Sequence, residues 1–368
     1  MNGRLDETQR DLRDLATELF RRTVTPERLD RVAAEPERFD RALWAELAGA
    51  GLLGVAVPEE HGGLGLGLIE LSLVCEQLGR AVAAVPLVAT SAAAAALAAH
   101  GSDPQRKQWL PAIAEGTAVV ALTPPQSAIG VRRDGDALSG QLIGVPWAHV
   151  ADALLVPVGA DVLLLDPTSS GVTTEDVTTT GGELAQNLTL DGATAEPVGS
   201  GAWPWLRLRW LTLLAATQAG VTDAALRLTA AYTSGREQFG KPLSTFQGVA
   251  LKAADGYLDT TAIHAVARQA AWALDVEDGR IEAGDSRADA TLAALTAGWW
   301  AAEAGQHCVH LTQHLHGGMG ADVTYPAHRY FLWGKQIELL TGGASALLAE
   351  LGEALASRPR AGDALALD

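Results

Sequence analysis

The spacing of apolar residues changes period twice along this 368-residue chain, from helical to alternating near residue 117 and back to helical after residue 204. Apolar positions every three or four residues bury one stripe of a helix, whereas alternation buries one face of a strand. A chain patterned in that order cannot form an all-β sandwich or a regularly alternating α/β sheet. In residues 5–21, Leu5, Leu12, Leu15, Ala16, Leu19 and Phe20 recur at helical spacing. FDRALWAELAGAGLL (39–53) predicts a second helix stopped by Gly51 and Gly54, and residues 69–85 and 89–101 two more. GSDPQRKQWLPAIAEG (101–116) opens with Ser102 or Asp103 as N-cap and Pro104 in the first turn.

Between residues 117 and 201 the runs AVVALT, ALLVPV, DVLLLD, GVTTEDV and NLTL are separated by Gly, Asp and Pro turns. They predict a small antiparallel barrel or sandwich. Long helical segments follow at about 205–234, 244–277, 286–315 and 326–357, and their short connections predict an antiparallel four-helix bundle. No repeat of 20–50 residues offers a solenoid instead. The expected fold is mainly α with a central β-domain: a helical domain over 1–117, an antiparallel β-barrel over 118–201 and a bundle over 202–368.

Charge narrows the partners. With 27 Lys and Arg against 44 Asp and Glu, the net charge of −17 leaves no phosphate-neutralising surface, so no nucleic-acid partner is expected. Cys75 and Cys308 are far apart and lack CxxC spacing, which excludes a disulfide framework or zinc ribbon and suggests a reducing, cytoplasmic setting. The amino end has no apolar h-region, and apolar stretches elsewhere are broken by charge, Pro or Gly, so neither export nor a membrane span is expected. GxGxxG after a strand, GxxxxGK[ST] and GxSxG are all missing.

Three glycine-punctuated stretches carry possible chemistry. PEEHGGLGLG (58–67) reads as a surface loop. In GREQFGKPL (235–243), Arg236 offers a planar donor fork suited to pyrophosphate and Phe239 a face for a ring, although the stretch also serves as an ordinary connection between helices. In HLHGGMG (314–320) a glycine turn at a helix end lets backbone N–H groups approach a phosphate or amide. His307, His310 and His314 share a helix face near Cys308 and His316, but without an HExxH carboxylate the spacing is that of a packed seam, and no metal is expected. Trp203, Trp205, Trp210, Trp299 and Trp300 read as core or interface anchors.

Together PEEHGGLGLG, the 101–116 helix, GREQFGKPLSTFQ (235–247) and HGGMGADVTYPAHRYF (316–331), in this order and spacing, resemble the acyl-CoA dehydrogenase family across almost the whole chain. The resemblance implies the three-part fold above, FAD, and removal of an α-proton by a Glu and a β-hydride by the flavin from a CoA thioester. It also implies that Arg236 contacts the FAD pyrophosphate of a neighbouring subunit, with Gln238, Phe239 and Gln247 along the same cofactor. His314 stands where a Gln touches the adenosine half, and Gly317 and Gly318 are kept.

The catalytic side departs from the family. Thr341-Gly342-Gly343-Ala344-Ser345 aligns with Tyr-Glu-Gly-Thr-Ser, so Gly342 replaces the Glu, and the alternative position near Trp210 and Leu211 is not acidic. Thr123-Pro124-Pro125-Gln126-Ser127 stands where Thr-Glu-Pro and Gly-Ser-Asp would seat the flavin ring, and Gly144-Val145-Pro146 where Trp-Ile-Thr would. With LLTGGASALL (339–348), this resembles the non-catalytic subunit of actinobacterial heteromeric α2β2 steroid-type acyl-CoA dehydrogenases. The expectations are no catalytic residue here, a partner subunit carrying the Glu, a steroid side-chain acyl-CoA substrate and an electron-transferring flavoprotein as acceptor. Two other readings are a self-sufficient homotetramer using Glu338, one turn before Gly342, as a displaced base, and a flavin-free scaffold or acyl-CoA-binding module.

Overall fold

Side-chain caps set where the first helices begin in the computed structural model, which describes residues 4–282 and 289–357. Asp6 accepts from the Gln9 N–H at 2.8 Å and starts α1 (Glu7–Thr23). Thr25 caps α2 (Pro26–Ala34), and Asp40 caps α3 (Arg41–Gly49). The sequence reading misses α2, a nine-residue helix whose apolar face is only Leu29, Val32 and Ala33, too short a stripe to show a period. Next come α4 (Leu68–Ala81), α5 (Leu87–His100) and α6 (Asp103–Ala114), the last capped by Ser102. The free N–H groups of Leu68 and Ile69 at the start of α4 donate to the Asp275 carboxylate at 2.8 and 2.9 Å.

Seven strands follow: β1 (Val120–Leu122), β2 (Ala128–Asp134), β3 (Ala137–Pro146), β4 (Ala153–Val158), β5 (Asp161–Leu165), β6 (Val172–Thr178) and β7 (Leu184–Pro197). They form one curled sheet in the order β1-β4-β5-β7-β3-β2, with β6 on β7. The long β7 pairs with β3 and β6 through its first part and with β5 through its last residues. One pairing differs from the antiparallel expectation: β1 runs parallel to β4, because the β2–β3 hairpin is interposed between them as a crossover. The hydrogen-bonded path is open between β1 and β2. The β2–β3 hairpin escapes the sequence reading because charged and glycine residues interrupt its apolar runs.

The bundle consists of α7 (Ala202–Gly235), α8 (Gln247–Glu277), α9 (Ala290–His316) and α10 (Ala327–Thr341), with α11 (Ala344–Ala356) against α9. A two-strand hairpin, β8 (Glu237–Gln238) and β9 (Lys241–Pro242), joins α7 to α8. Ser286, the expected start of the third bundle helix, lies outside the described residues. The expected single last helix breaks at Gly342 and Gly343, with φ of 93° and 87°. Ala327–Ala356 as a whole is long and apolar enough to cross a membrane, but that break leaves helices of 15 and 13 residues, each short of the roughly 20 that a span needs.

Candidate functional site

The loop after α7 is a tight hairpin whose central residues, Phe239 and Gly240, both have positive φ (57° and 79°). A two-residue hairpin loop requires that geometry, which glycine adopts freely and phenylalanine only under strain. Phe239 is 93% exposed and touches Phe246 edge-on. Arg236 ends α7 with its N–H on the Tyr232 carbonyl at 2.8 Å. Its guanidinium is exposed and has no hydrogen-bond or ion-pair partner among the described residues. Gln238 is exposed, and Gln247 is the exposed first residue of α8.

Aromatic packing brings the glycine turn after α9 to this loop. His316 lies 4.7 Å from the Tyr232 ring and 5.3 Å from Tyr325, and Tyr232 is one turn before Arg236. His316 Nδ1 donates to the Thr312 carbonyl at 2.7 Å, which leaves Nε2 as an acceptor, buried and without a protein partner. Burial pushes this imidazole below its usual pKa, so it is held neutral. The antiparallel contact of Gly256 with Cys308 brings Gln247 level with Gly317 and Gly318. Gly317 has φ 59° and ψ −137°, and a Cβ on either glycine would meet open space. The Tyr232–His316 contact thus joins the Arg236 loop to the Gly317-Gly318 turn in an exposed edge, and Gln238, Phe239, Gln247 and His314 on the same segments are exposed too.

The histidine seam does not converge: His307 Nδ1 pairs with Asp259 at 2.6 Å, and His310 packs edge-on against Phe331. Among the described residues no group of three His, Cys, Asp or Glu is placed to hold a metal ion. Of the tryptophans, Trp205 stacks under the Arg209 guanidinium at 3.7 Å, and Trp299 meets Trp300 edge-on.

A second region lies where α4, α5, α7 and α10 meet the sheet. Trp147, Trp210 and Trp333 line it with Glu183 and leave a cavity of about 70 Å³. Gln126 Nε2 donates to the Leu339 carbonyl at 2.7 Å and ties the sheet to α10. Thr123 is buried, with its hydroxyl unpartnered. Trp210 and Leu211 are buried apolar side chains. Glu338 forms an ion pair with Lys335, and Gly342 is the left-handed cap of α10.

Comparison with known proteins gives this arrangement a family. Residues 6–117 match the acyl-CoA dehydrogenase N-terminal domain and residues 211–355 the C-terminal domain. The chain belongs to the acyl-CoA dehydrogenase family. Acyl-CoA dehydrogenase FadE27 of Mycobacterium tuberculosis is 36% identical over 96% of this chain and 98% of its own. A solved structure of a variant of the Tcur3481-Tcur3483 steroid ACAD is 44% identical, with a TM-score of 0.87 over 95% of this chain and 98% of that one. The ChsE4-ChsE5 complex from Mycobacterium tuberculosis is 35% identical, with a TM-score of 0.89 over 98% of this chain and 100% of that one.

Acyl-CoA dehydrogenases are FAD-dependent oxidoreductases, and the two regions here fit that cofactor unequally. The exposed edge fits its polar part: Arg236 is an uncommitted bidentate donor, and the open Gly317-Gly318 backbone admits close approach. The inner cleft does not fit a three-ring isoalloxazine. Its 70 Å³ is below the ~300 Å³ at which ligand pockets begin. Sequence reasoning missed the Tyr232–His316–Tyr325 cluster, the Gln126 tie and Trp147. Trp147 has φ 65°, a conformation no sequence pattern announces for tryptophan.

Proposed function

We propose that this chain is the non-catalytic subunit of a heteromeric α2β2 acyl-CoA dehydrogenase, completing the FAD site of a partner subunit that carries the catalytic Glu. The reaction is introduction of an α,β double bond into a CoA thioester, a steroid side-chain thioester being favoured, in the cytoplasm and with an electron-transferring flavoprotein as acceptor. The observation that carries this reading is the split between a committed inner cleft and an uncommitted outer edge: Arg236 has no partner among the described residues, while the cleft is down to 70 Å³. The names of the relatives, a steroid ACAD pair and a two-protein complex, support the heteromeric form.

FAD, when bound, supplies the acceptor for the substrate β-hydride. Arg236 holds its pyrophosphate by charge-assisted hydrogen bonds, Gln238 and Phe239 lie along it, and Gln247, His314, Gly317 and Gly318 close the adenosine side. No side chain of this chain moves the α-proton. Co-expression with the partner is expected to yield about one FAD per heterodimer, and Arg236→Ala to weaken flavin retention roughly ten- to a hundredfold with the assembly intact. A fully flavinylated homotetramer from this chain alone would overturn the reading.

A further inference from the structure

Arg38 (φ 48°), Val82 (φ 44°), Trp147 and Phe239 are the described residues other than glycine that hold left-handed backbone angles. Each such residue costs on the order of 1–3 kcal/mol and persists where its surroundings over-determine it. Phe239 belongs to the exposed edge and Trp147 to the inner cleft. Arg38 and Val82 belong to neither. Both line one groove of about 320 Å³ between α2, the turn from β6 to β7 and the start of α10, a volume within the range of small-molecule sites.

The charged lining of this groove is one-sided in a chain of net charge −17. Its cationic and imidazole groups are Arg38, His328 and Arg329, and Glu183 is its single acid. Arg38 donates to the Gly182 carbonyl at 2.9 Å and to Thr178 Oγ1 at 3.3 Å, both neutral, so its charge has no carboxylate partner among the described residues. His328 commits Nδ1 to the Tyr325 carbonyl at 2.7 Å and keeps Nε2 without a hydrogen-bond partner among the described residues. Arg329, its own side chain 20% exposed, pairs with Asp30, whose side chain is 70% exposed, so the carboxylate can swing into solvent when a ligand anion enters. Burial pushes the Glu183 carboxyl upward, which weakens it as a repelling charge, and Thr179 Oγ1 already donates to it at 2.6 Å. Leu29, Leu332 and Trp333 give the groove an apolar floor.

We propose that this groove binds an organic phosphate, with phosphoryl oxygens on Arg38 and Arg329 and an apolar or ring-bearing body on Leu29, Leu332 and Trp333. Two guanidinium forks and an imidazole offer more donors than the two neighbouring carboxylates, Glu183 and Asp30, take up, and a phosphate ester presents several oxygens to planar forks. The site shares no residue with the Arg236 edge, and it stands whether or not the subunit role proposed above holds.

The test is calorimetric titration of the full chain, purified with its partner, using ADP, inorganic pyrophosphate and decanoate. Glycine adopts φ near +48° without strain, so Arg38→Gly removes the cation while suiting the backbone, and thermal unfolding checks that the fold is kept. Arg38→Gly and Arg329→Gln are each expected to weaken ADP and pyrophosphate binding at least tenfold, with Arg227→Gln, at a 77% exposed side chain remote from the groove lining, within twofold of wild type. Absence of saturable ADP binding, unchanged affinity in Arg38→Gly, or an equal loss in Arg227→Gln would each sink the proposal. Decanoate binding as tightly as ADP would replace the phosphate with a carboxylate and overturn it too.

Discussion

Gly79 of α4 and Gly220 of α7 interlock: a Cβ on Gly79 would stand 2.0 Å from the Thr217 carbonyl oxygen, and one on Gly220 1.9 Å from that of Glu76. Two helices can cross this closely only where neither has a side chain. Around the crossing, Arg80 pairs with Glu76 and with Asp223 of α7, and His264 of α8 also reaches Glu76. The amino-terminal helices are thereby fixed to the bundle, and the cleft lined by Leu78, Leu214 and Thr217 takes its width from that crossing.

Gly220→Ala is therefore expected to destabilise the protein by more than about 3 kcal/mol, since the obstacle is backbone and cannot rotate away. Gly352→Ala, at a position in α11 with nothing within 4 Å, is expected to gain about 0.5–1 kcal/mol from helix propensity. Urea unfolding of both variants measures the contrast. A Gly220→Ala protein within about 0.5 kcal/mol of wild type would mean that the helices separate freely.

How much of this was legible in the sequence depends on whether a feature is local. The switches of apolar period near residues 117 and 204 are local, and they place the helical, β and helical regions in the right order. The Arg236 loop and the Gly317-Gly318 turn carry motif spacing, so the exposed edge could be read, although its closure through Tyr232 and His316 could not, because that contact joins residues 84 apart in sequence. The parallel β1–β4 pair, the α4–α7 crossing and the groove at Arg38 depend on tertiary placement. Short α2 has an apolar stripe of only Leu29, Val32 and Ala33, and the charged β2–β3 hairpin has its apolar runs interrupted, so neither is long enough to show a period.

Asp275 supplies a pH dependence. Burial pushes its carboxyl up to about 6, against the lowering by the Leu68 and Ile69 N–H groups. Its pKa is thus higher in the folded than in the unfolded chain, so the native state binds more protons between about pH 4 and 6. This contribution to stability is greatest at low pH and is lost as pH rises through 6, by on the order of 3 kcal/mol. Asp275→Asn cannot titrate, so the gap in unfolding free energy between wild type and variant should shrink from pH 4.5 to pH 7.5. A widening gap over that range would reverse the sign.

Phe239 trades stability for exposure, being 93% exposed and held at φ 57°. Phe239→Gly is expected to raise the stability of the isolated chain by about 1 kcal/mol, because the left-handed penalty disappears. The same variant should weaken assembly with the partner, because a large apolar face is lost from the proposed cofactor edge. Thermal unfolding of the chain and size-exclusion chromatography of the mixture read the two effects separately. A variant both less stable and equally assembled would show that the ring packs inward.

The base divides the heteromeric reading from a self-sufficient enzyme. General-base catalysis needs a carboxylate within hydrogen-bond reach of the substrate α-proton, and removing it costs about two to four decades in rate. Glu338 is held in an ion pair by Lys335, and the inner cavity lined by neighbouring Ile337 and Leu340 has no room for a substrate beside a flavin. Glu338→Gln should change turnover of a CoA thioester by the co-purified complex by less than about threefold. Gly342→Glu should create no second centre: φ of 93° there disfavours any L side chain, and Trp147, Trp210 and Trp333 still fill the cleft. Loss of the partner's own Glu should abolish turnover in the same assay. A thousandfold drop from Glu338→Gln would instead move the proton-transfer step into this chain and require the cleft to open around it.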